Sequence, residues 1–160
     1  MTLSRKIADA VESLSAGGEL PRIVQAEAGP HRLSLNLNAH GPVGIAFENL
    51  DFASADQADR SADGLRAWGD RLAARLTYLM EPLIVLEVDA EAGQAELRSQ
   101  APTPRANQSS YYEVRLRRDS SLTLRRISID QATRRRMPIP CQMTVEVLDR
   151  LADDLVASLV

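Results

Sequence analysis

Tyr111–Ile129 reads YYEVRLRRDSSLTLRRISI. Its first half alternates. Tyr112, Val114 and Leu116 fall on one side of an extended chain, and Glu113, Arg115 and Arg117 on the other. Leu122 and Leu124 resume the alternation after a polar break. Pairing Leu116 with Leu122 and Val114 with Leu124 puts the apolar residues on one face. It also leaves the loop Arg118-Asp119-Ser120, an accepted hairpin length. The stretch therefore predicts an antiparallel hairpin with one apolar and one arginine-bearing face. Ile127 and Ile129 then fall out of phase. A β-bulge at Arg125-Arg126 restores phase, so that Tyr112 faces Ile127. The outward face holds Arg115, Arg117, Thr123 and one of Arg125 and Arg126, with Glu113 as counter-charge.

Working outward, the flanking segments follow the same logic. Leu83–Val88 (LIVLEV) reads as a buried strand, DAEAG as its turn and Gln94–Ser99 as the return. Gln100–Ser109 has two Pro and no period, so it is a loop or a hairpin tip. Earlier in the chain, Arg22–Ala28, the run Leu33, Leu35, Leu37 and the run Val43, Ile45, Phe47 give a three-stranded meander. Three amphipathic helices separate these sheets. Leu3, Ile7, Val11 and Leu14 mark the first, ending at Gly17-Gly18. Leu65, Trp68, Leu72, Leu76 and Leu79 mark the second, with Ser61 or a Ser54/Gln57 capping box at its start and Pro82 as its stop. Val147, Leu148, Leu151, Leu155 and Leu159 mark the third. The expected fold is one α+β domain over residues 1–160, order α-βββ-α-ββββ-α, with helices packed on antiparallel sheet. Pro21-Arg22-Ile23-Val24 and Pro82-Leu83-Ile84-Val85 each follow a helix, a likeness too short to define a repeat.

Composition narrows the function classes. A chain of 160 residues with 44% hydrophobic content can bury an adequate core without staples. Net charge is −3, so the whole molecule has no pull toward nucleic acid or anionic lipid. Lys6 is the only Lys among 19 basic residues, which makes any single Arg weak evidence of function. From Arg98 to Arg136, however, ten Arg face only Glu113, Asp119 and Asp130. That predicts a dipolar molecule. The N-terminus lacks an apolar signal core, and Pro82–Leu86 is far too short to span a bilayer. A cytoplasmic protein without a membrane segment is expected.

Chemistry-bearing motifs are sparse. Cys141 is the only Cys, which excludes a disulfide framework and a Cys-rich zinc site. As a thiol just before a helix it is a candidate nucleophile. The competing reading is a small buried core residue. His31 and His40 flank the first hairpin without a metal-ligand pattern. No phosphate loop and no nucleophile elbow occurs. No cofactor and no metal is therefore expected, and the expectation leans away from an enzyme.

The order of elements, the small size and the acidic pI resemble the dimeric chaperones of type III secretion. The likeness is one of topology, no residue is carried over, and this chain has two more strands than that pattern holds. It implies a non-catalytic partner of other proteins. The leading expectation is a protein–protein interaction module, monomeric or homodimeric, whose partner presents an acidic surface. Its candidate contact residues are Arg115, Arg117, Arg125 and Arg126 on the hairpin and Arg134, Arg135 and Arg136 beyond it. The alternatives are nucleic-acid binding through residues 115–136, with Tyr111 as a stacking ring, and an enzyme with Cys141 as nucleophile.

Overall fold

Leu116 pairs with Leu122 and Val114 with Leu124 in the computed structural model, which describes residues 1–14, 19–55, 59–100 and 102–160. The loop between them closes with Ser120 at φ 65, its N–H donating to Arg117 O at 3.1 Å. A left-handed last residue is the usual way for a three-residue loop to match strand twist. Asp119 Oδ1 accepts from both the N–H and the hydroxyl of Ser121, which fixes the far side of the turn.

The elements run α1 (Leu3–Glu12), β1 (Arg22–Ala28), β2 (His31–His40), β3 (Ile45–Ser54), α2 (Ala62–Arg75), β4 (Leu83–Asp89), β5 (Gln94–Ser99), β6 (Thr103–Arg105), β7 (Gln108–Arg117), β8 (Ser121–Asp130), β9 (Arg136–Ile139), β10 (Cys141–Met143) and α3 (Val145–Ala157). This is the α-βββ-α-ββββ-α order, with three short strands, β6, β9 and β10, added to it. Each helix starts at a hydroxyl cap: Thr2, Ser61 and Thr144 accept from the N–H of Arg5, Gly64 and Val147. Ser61 is thus the start of α2. Ser54 lies in β3, and Gln57 lies outside the described residues, as do Gly17-Gly18.

The sheet is antiparallel throughout, in the order β1-β2-β3-β8-β7-β5-β4. All three helices cover one face. α1 lies on β1 and β2, α2 on β4, β5 and β7, and α3 between the two helices. Their apolar stripes (Ile7 and Val11; Leu65, Trp68 and Leu72; Leu148, Leu151 and Leu155) join Leu35, Leu50, Phe52, Leu97, Val114 and Leu124 of the sheet in one continuous core. Gly69 lets α2 settle closely on the sheet, because a Cβ there would lie 2.8 Å from Val85 Cγ2. The PRIV and PLIV segments each lead into an edge strand, β1 and β4, at opposite ends of the sheet.

Phase slips in β3, and β8 runs through without a bulge. Glu48 and Asn49 occupy the space opposite the single Asn36, between the pairs Leu35↔Leu50 and Leu37↔Phe47. A bulge bends its strand. Beyond Asn49↔Arg125, β3 and β8 no longer pair with each other. β9 takes over the edge of β8, from Arg126↔Ile139 to Ile129↔Arg136, and β10 takes over the edge of β3 at Cys141↔Phe47. The segment RMPIPCQM thus bridges a fork in the sheet.

Three expectations are corrected. β8 holds its register from Leu122 to Asp130, so Tyr111 faces Ile127 and Tyr112 faces Arg126. α2 stops at Arg75, although Leu76 and Leu79 remain buried. The chain turns at Leu76, and the hydroxyl of Tyr78 donates to Asp154 Oδ2 at 2.8 Å. β4 is an edge strand with Ile84 and Leu86 exposed, because only Leu83, Val85 and Val88 face the helices. Among the described residues, no helix is long and apolar enough to cross a membrane.

Candidate functional site

The face of the sheet away from the helices is where the arginines gather, and cross-strand pairing sets their neighbours. Glu96 lies opposite Arg115, Arg98 opposite Glu113, and Glu113 opposite Arg125. Opposite charges in facing positions support one another. Arg115 donates to Glu96 Oε1 at 3.1 Å and lies 3.6 Å from Glu113 Oε1. Arg125 Nε donates to Glu113 Oε2 at 2.8 Å. Arg98 Nε is 3.0 Å from Glu96 Oε2 but makes no aligned hydrogen bond. Arg117 donates to Thr123 Oγ1 at 3.0 Å, and Thr123 in turn donates to Asp51 Oδ1 at 2.9 Å. The result is a charge ladder across β5, β7 and β8 that continues to β3 as a chain of hydrogen bonds.

Glu113 is the centre of that ladder, with its side chain 3% exposed. Burial works against its charge. The hydrogen bonds it shares with Glu96 and receives from Arg125, with the charges of Arg125 and Arg115, outweigh burial and hold its carboxyl below the ordinary range. Asn49, Asp51, Arg117 and Thr123 border a shallow depression of about 290 Å³ beside it.

Arg126 is a correction to the candidate surface. It points to the helix side and is 5% exposed. Its guanidinium donates to Glu81 Oε1 and Oε2 at 3.2 and 3.0 Å and lies 4.5 Å from the Tyr112 ring centroid. Ser99 Oγ donates to Glu81 Oε1 at 2.6 Å and accepts from Tyr112 N at 2.8 Å. Arg126 is thus part of a buried polar cluster built with Glu81, a residue not among the sequence candidates. Position alone could not find that partner, which comes from the segment between α2 and β4.

Arg134 and Arg135 lie in the exposed turn between β8 and β9, and Arg136 opens β9. Arg134 is left-handed at φ 60, and its N–H donates to Asp130 O at 2.8 Å. Asp130 does not pair with these arginines. Its carboxylate accepts from the N–H groups of Thr133 and Ala132, which lowers its pKa. The β6–β7 turn touches this turn, because Gln131 N donates to Asn107 O at 2.7 Å. That places Arg105 at the same end of the sheet. Among the described residues, no carboxylate forms an ion pair with Arg105, Arg134, Arg135 or Arg136.

Arg136 instead stacks on Tyr111, its guanidinium 5.7 Å from the ring centroid, and Arg98 covers the same ring at 5.4 Å. Tyr111 faces outward by register yet is 3% exposed. Two arginines are already stacked on it, so it offers no free platform to a base.

No protein-family model matches this chain, and no curated protein or solved structure gives a significant match. The resemblance to secretion chaperones remains one of element order alone.

The other candidates separate. Cys141 is fully buried beside Phe47. Burial pushes its thiol up to about 12, and the charge of Arg126 and a hydrogen bond to the Arg126 backbone counter this only in part. Burial thus favours the neutral thiol over the nucleophilic thiolate. A thiol-reactive chromogenic disulfide at pH 8 is expected to label Cys141 only after denaturation. Stoichiometric labelling of the native protein within minutes would restore it as a candidate. His31 and His40 occupy the two ends of β2, about 30 Å apart at strand rise. They cannot share a ligand. His31 Nδ1 lies 3.1 Å from Ser54 Oγ, with its ring stacked on Phe52. Among the described residues, no group of three His, Cys, Asp or Glu side chains could hold a metal.

Proposed function

We propose that this protein is a non-catalytic binding module that recognises an acidic segment of another protein at the β6–β7 and β8–β9 end of its bare sheet face. One observation carries the reading: among the described residues, no carboxylate pairs with the guanidinium groups of Arg134, Arg135 and Arg136. The arginines next to them on the sheet, Arg115 and Arg125, already form ion pairs with Glu96 and Glu113. Uncompensated charge steers a partner of opposite sign. Weight therefore moves from the hairpin face toward Arg134, Arg135 and Arg136.

The same ladder argues for a protein over nucleic acid. A phosphate backbone laid across the sheet would meet Glu96, Glu113 and Asp51 along with the arginines. A polypeptide can place separate carboxylates on the free guanidinium groups and keep its other side chains clear of the acids.

A glutamate-rich peptide and a single-stranded oligonucleotide of equal charge separate the two. The peptide is expected to bind at about 10 mM ionic strength and to release as salt passes about 0.1 M. Replacing Arg134→Asn, Arg135→Ser and Arg136→Ser together should abolish binding, whereas Arg115→Ser should change it less than about threefold. Asn suits position 134 because it tolerates positive φ. No peptide binding at low salt, or full binding by the triple variant, sinks the proposal. Tighter binding of the oligonucleotide would transfer the surface to nucleic acid.

A further inference from the structure

The two edges of the sheet are not alike. β4 has a register shift between Val85 and Glu87, and its Glu87 faces Glu96 of β5. Bulges and charged side chains are what keep a sheet edge from pairing with another chain. β1 is regular by contrast, in unbroken register with β2 from Arg22 to Ala28. Ile23 is 65% exposed, and Leu20 just before the strand is 39% exposed. Lys6 Nζ donates to Glu27 O at 2.8 Å, so the Glu27 backbone faces away from β2. Pairing alternates along an antiparallel strand, so the N–H and C=O groups of Ile23 and Gln25 face the same open edge. Among the described residues, no strand pairs with β1 on that side.

We propose that this edge binds a second copy of the chain, β1 against β1 and antiparallel, about a two-fold axis at Val24. Ile23 of each copy then exchanges N–H···O bonds with Gln25 of the other. That register uses only the free groups and leaves Lys6 on Glu27 O. An axis at Gln25 would need the Glu27 backbone and displace Lys6. The helix layer agrees. α1 lies over β1 and β2, with α3 on one side of it and the open edge on the other. Its exposed charges are ordered, Arg5 and Lys6 before Asp9 and Glu12. A two-fold axis lays the two α1 helices antiparallel, which sets the basic half of each beside the acidic half of the other. The strand pair continues the sheet, and α1 adds the area that a strand pair alone lacks. A contact through one edge closes as a dimer, whereas β1 against β4 would run on as a fibre. Arg134, Arg135 and Arg136 lie on a different surface, beyond β8. The dimer is thus independent of the acidic-segment reading and would present that surface twice.

Sedimentation of the full chain should give the mass of two chains at about 100 μM, with dissociation on dilution. Gln25→Pro removes a donor that β2 does not use, so the circular dichroism spectrum should be unchanged while the dimer weakens about tenfold or more. Ile23→Lys should weaken it at least as much, because like charges then meet beside the axis. Ile84→Lys on β4 should leave the mass unchanged. Val24→Cys should join two chains by a disulfide on mild oxidation, since facing Cβ atoms at the axis lie about 5 Å apart. A chain that stays monomeric at about 100 μM overturns the proposal. So does a dimer that withstands both β1 variants, a dimer in which Val24→Cys forms no disulfide, or a species larger than two chains. A monomer whose Ile23 and Gln25 amides gain protection from hydrogen exchange when the glutamate-rich peptide is added would overturn it as well, and would assign the edge to that peptide.

Discussion

Arg126→Met is expected to cost about 3–5 kcal/mol of stability, because it leaves Glu81 charged inside the core. The two groups are 5% and 4% exposed, and the carboxylate would keep only part of its hydrogen bonding, including that from Ser99. Glu81→Leu should cost a similar amount for the converse reason, an unpaired guanidinium beneath the sheet. The double variant Arg126→Met/Glu81→Leu should recover most of either loss, since apolar groups of similar volume need no partner. Urea unfolding followed by circular dichroism gives the cycle directly. Additive losses would mean that the two side chains act independently, contrary to their 3.0 Å contact. Burial also pushes the Tyr112 hydroxyl in this cluster up to about 12. The cluster is therefore a structural device whose members share one fate.

Trp68→Ala should be nearly as damaging, at about 3–5 kcal/mol. Trp68 is fully buried in α2, and its Nε1 donates to Ser158 Oγ at 2.9 Å. Around it, two arginines cap the C-terminal end of α3. Arg71 Nε donates to Ser158 O at 2.7 Å, and Arg60 donates to Leu159 O at 2.9 Å with its guanidinium 4.6 Å from the Trp68 ring. The last carbonyls of a helix lack internal donors and carry partial negative charge, so cations there are favourable. Removing the indole opens a cavity and withdraws a surface on which Arg60 rests. Trp68→Phe, which keeps a ring but drops the donor, should cost less than half as much. Because Trp68 is the only Trp, unfolding of the Ala variant must be followed by circular dichroism. A change below about 1 kcal/mol for Trp68→Ala would show that α2 and α3 are held elsewhere.

Much of the architecture was legible because short-range periodicity carries it. The pairing of Leu116 with Leu122 follows from alternation plus an allowed loop length, and it is observed. The helix stripes were equally local signals, and so was Ser61, one of the two starts read for α2. The misread elements depended on distant partners. Arg126 looked like a surface residue because a buried arginine needs a counter-charge, and Glu81 is 45 positions away in sequence. Ile127 looked inward because it is apolar, yet it lies on the outer face in the depression walled by Arg136, Met137 and Pro138. LIVLEV read as a buried strand because composition reports apolarity, whereas edge or centre is decided by which strands come to lie beside it. For the candidate site, the sequence put Arg134, Arg135 and Arg136 beyond the hairpin strands, whereas Arg136 opens β9. The sequence could not show that their neighbours are ion-paired, since pairing is a property of cross-strand register.

That register has a consequence for how the chain finds its fold. A slip of one residue between β7 and β8 would expose every inward Leu and is rejected by hydrophobicity alone. A slip of two residues keeps every Leu inward, so hydrophobicity cannot reject it. The charges can. In one direction such a slip brings Arg115 against Arg125; between β5 and β7 it brings Arg98 against Arg115, or Glu96 against Glu113. Like charges in facing positions are unfavourable. The ladder on the bare face thus acts as a check on strand alignment, penalising slips to which the core is blind.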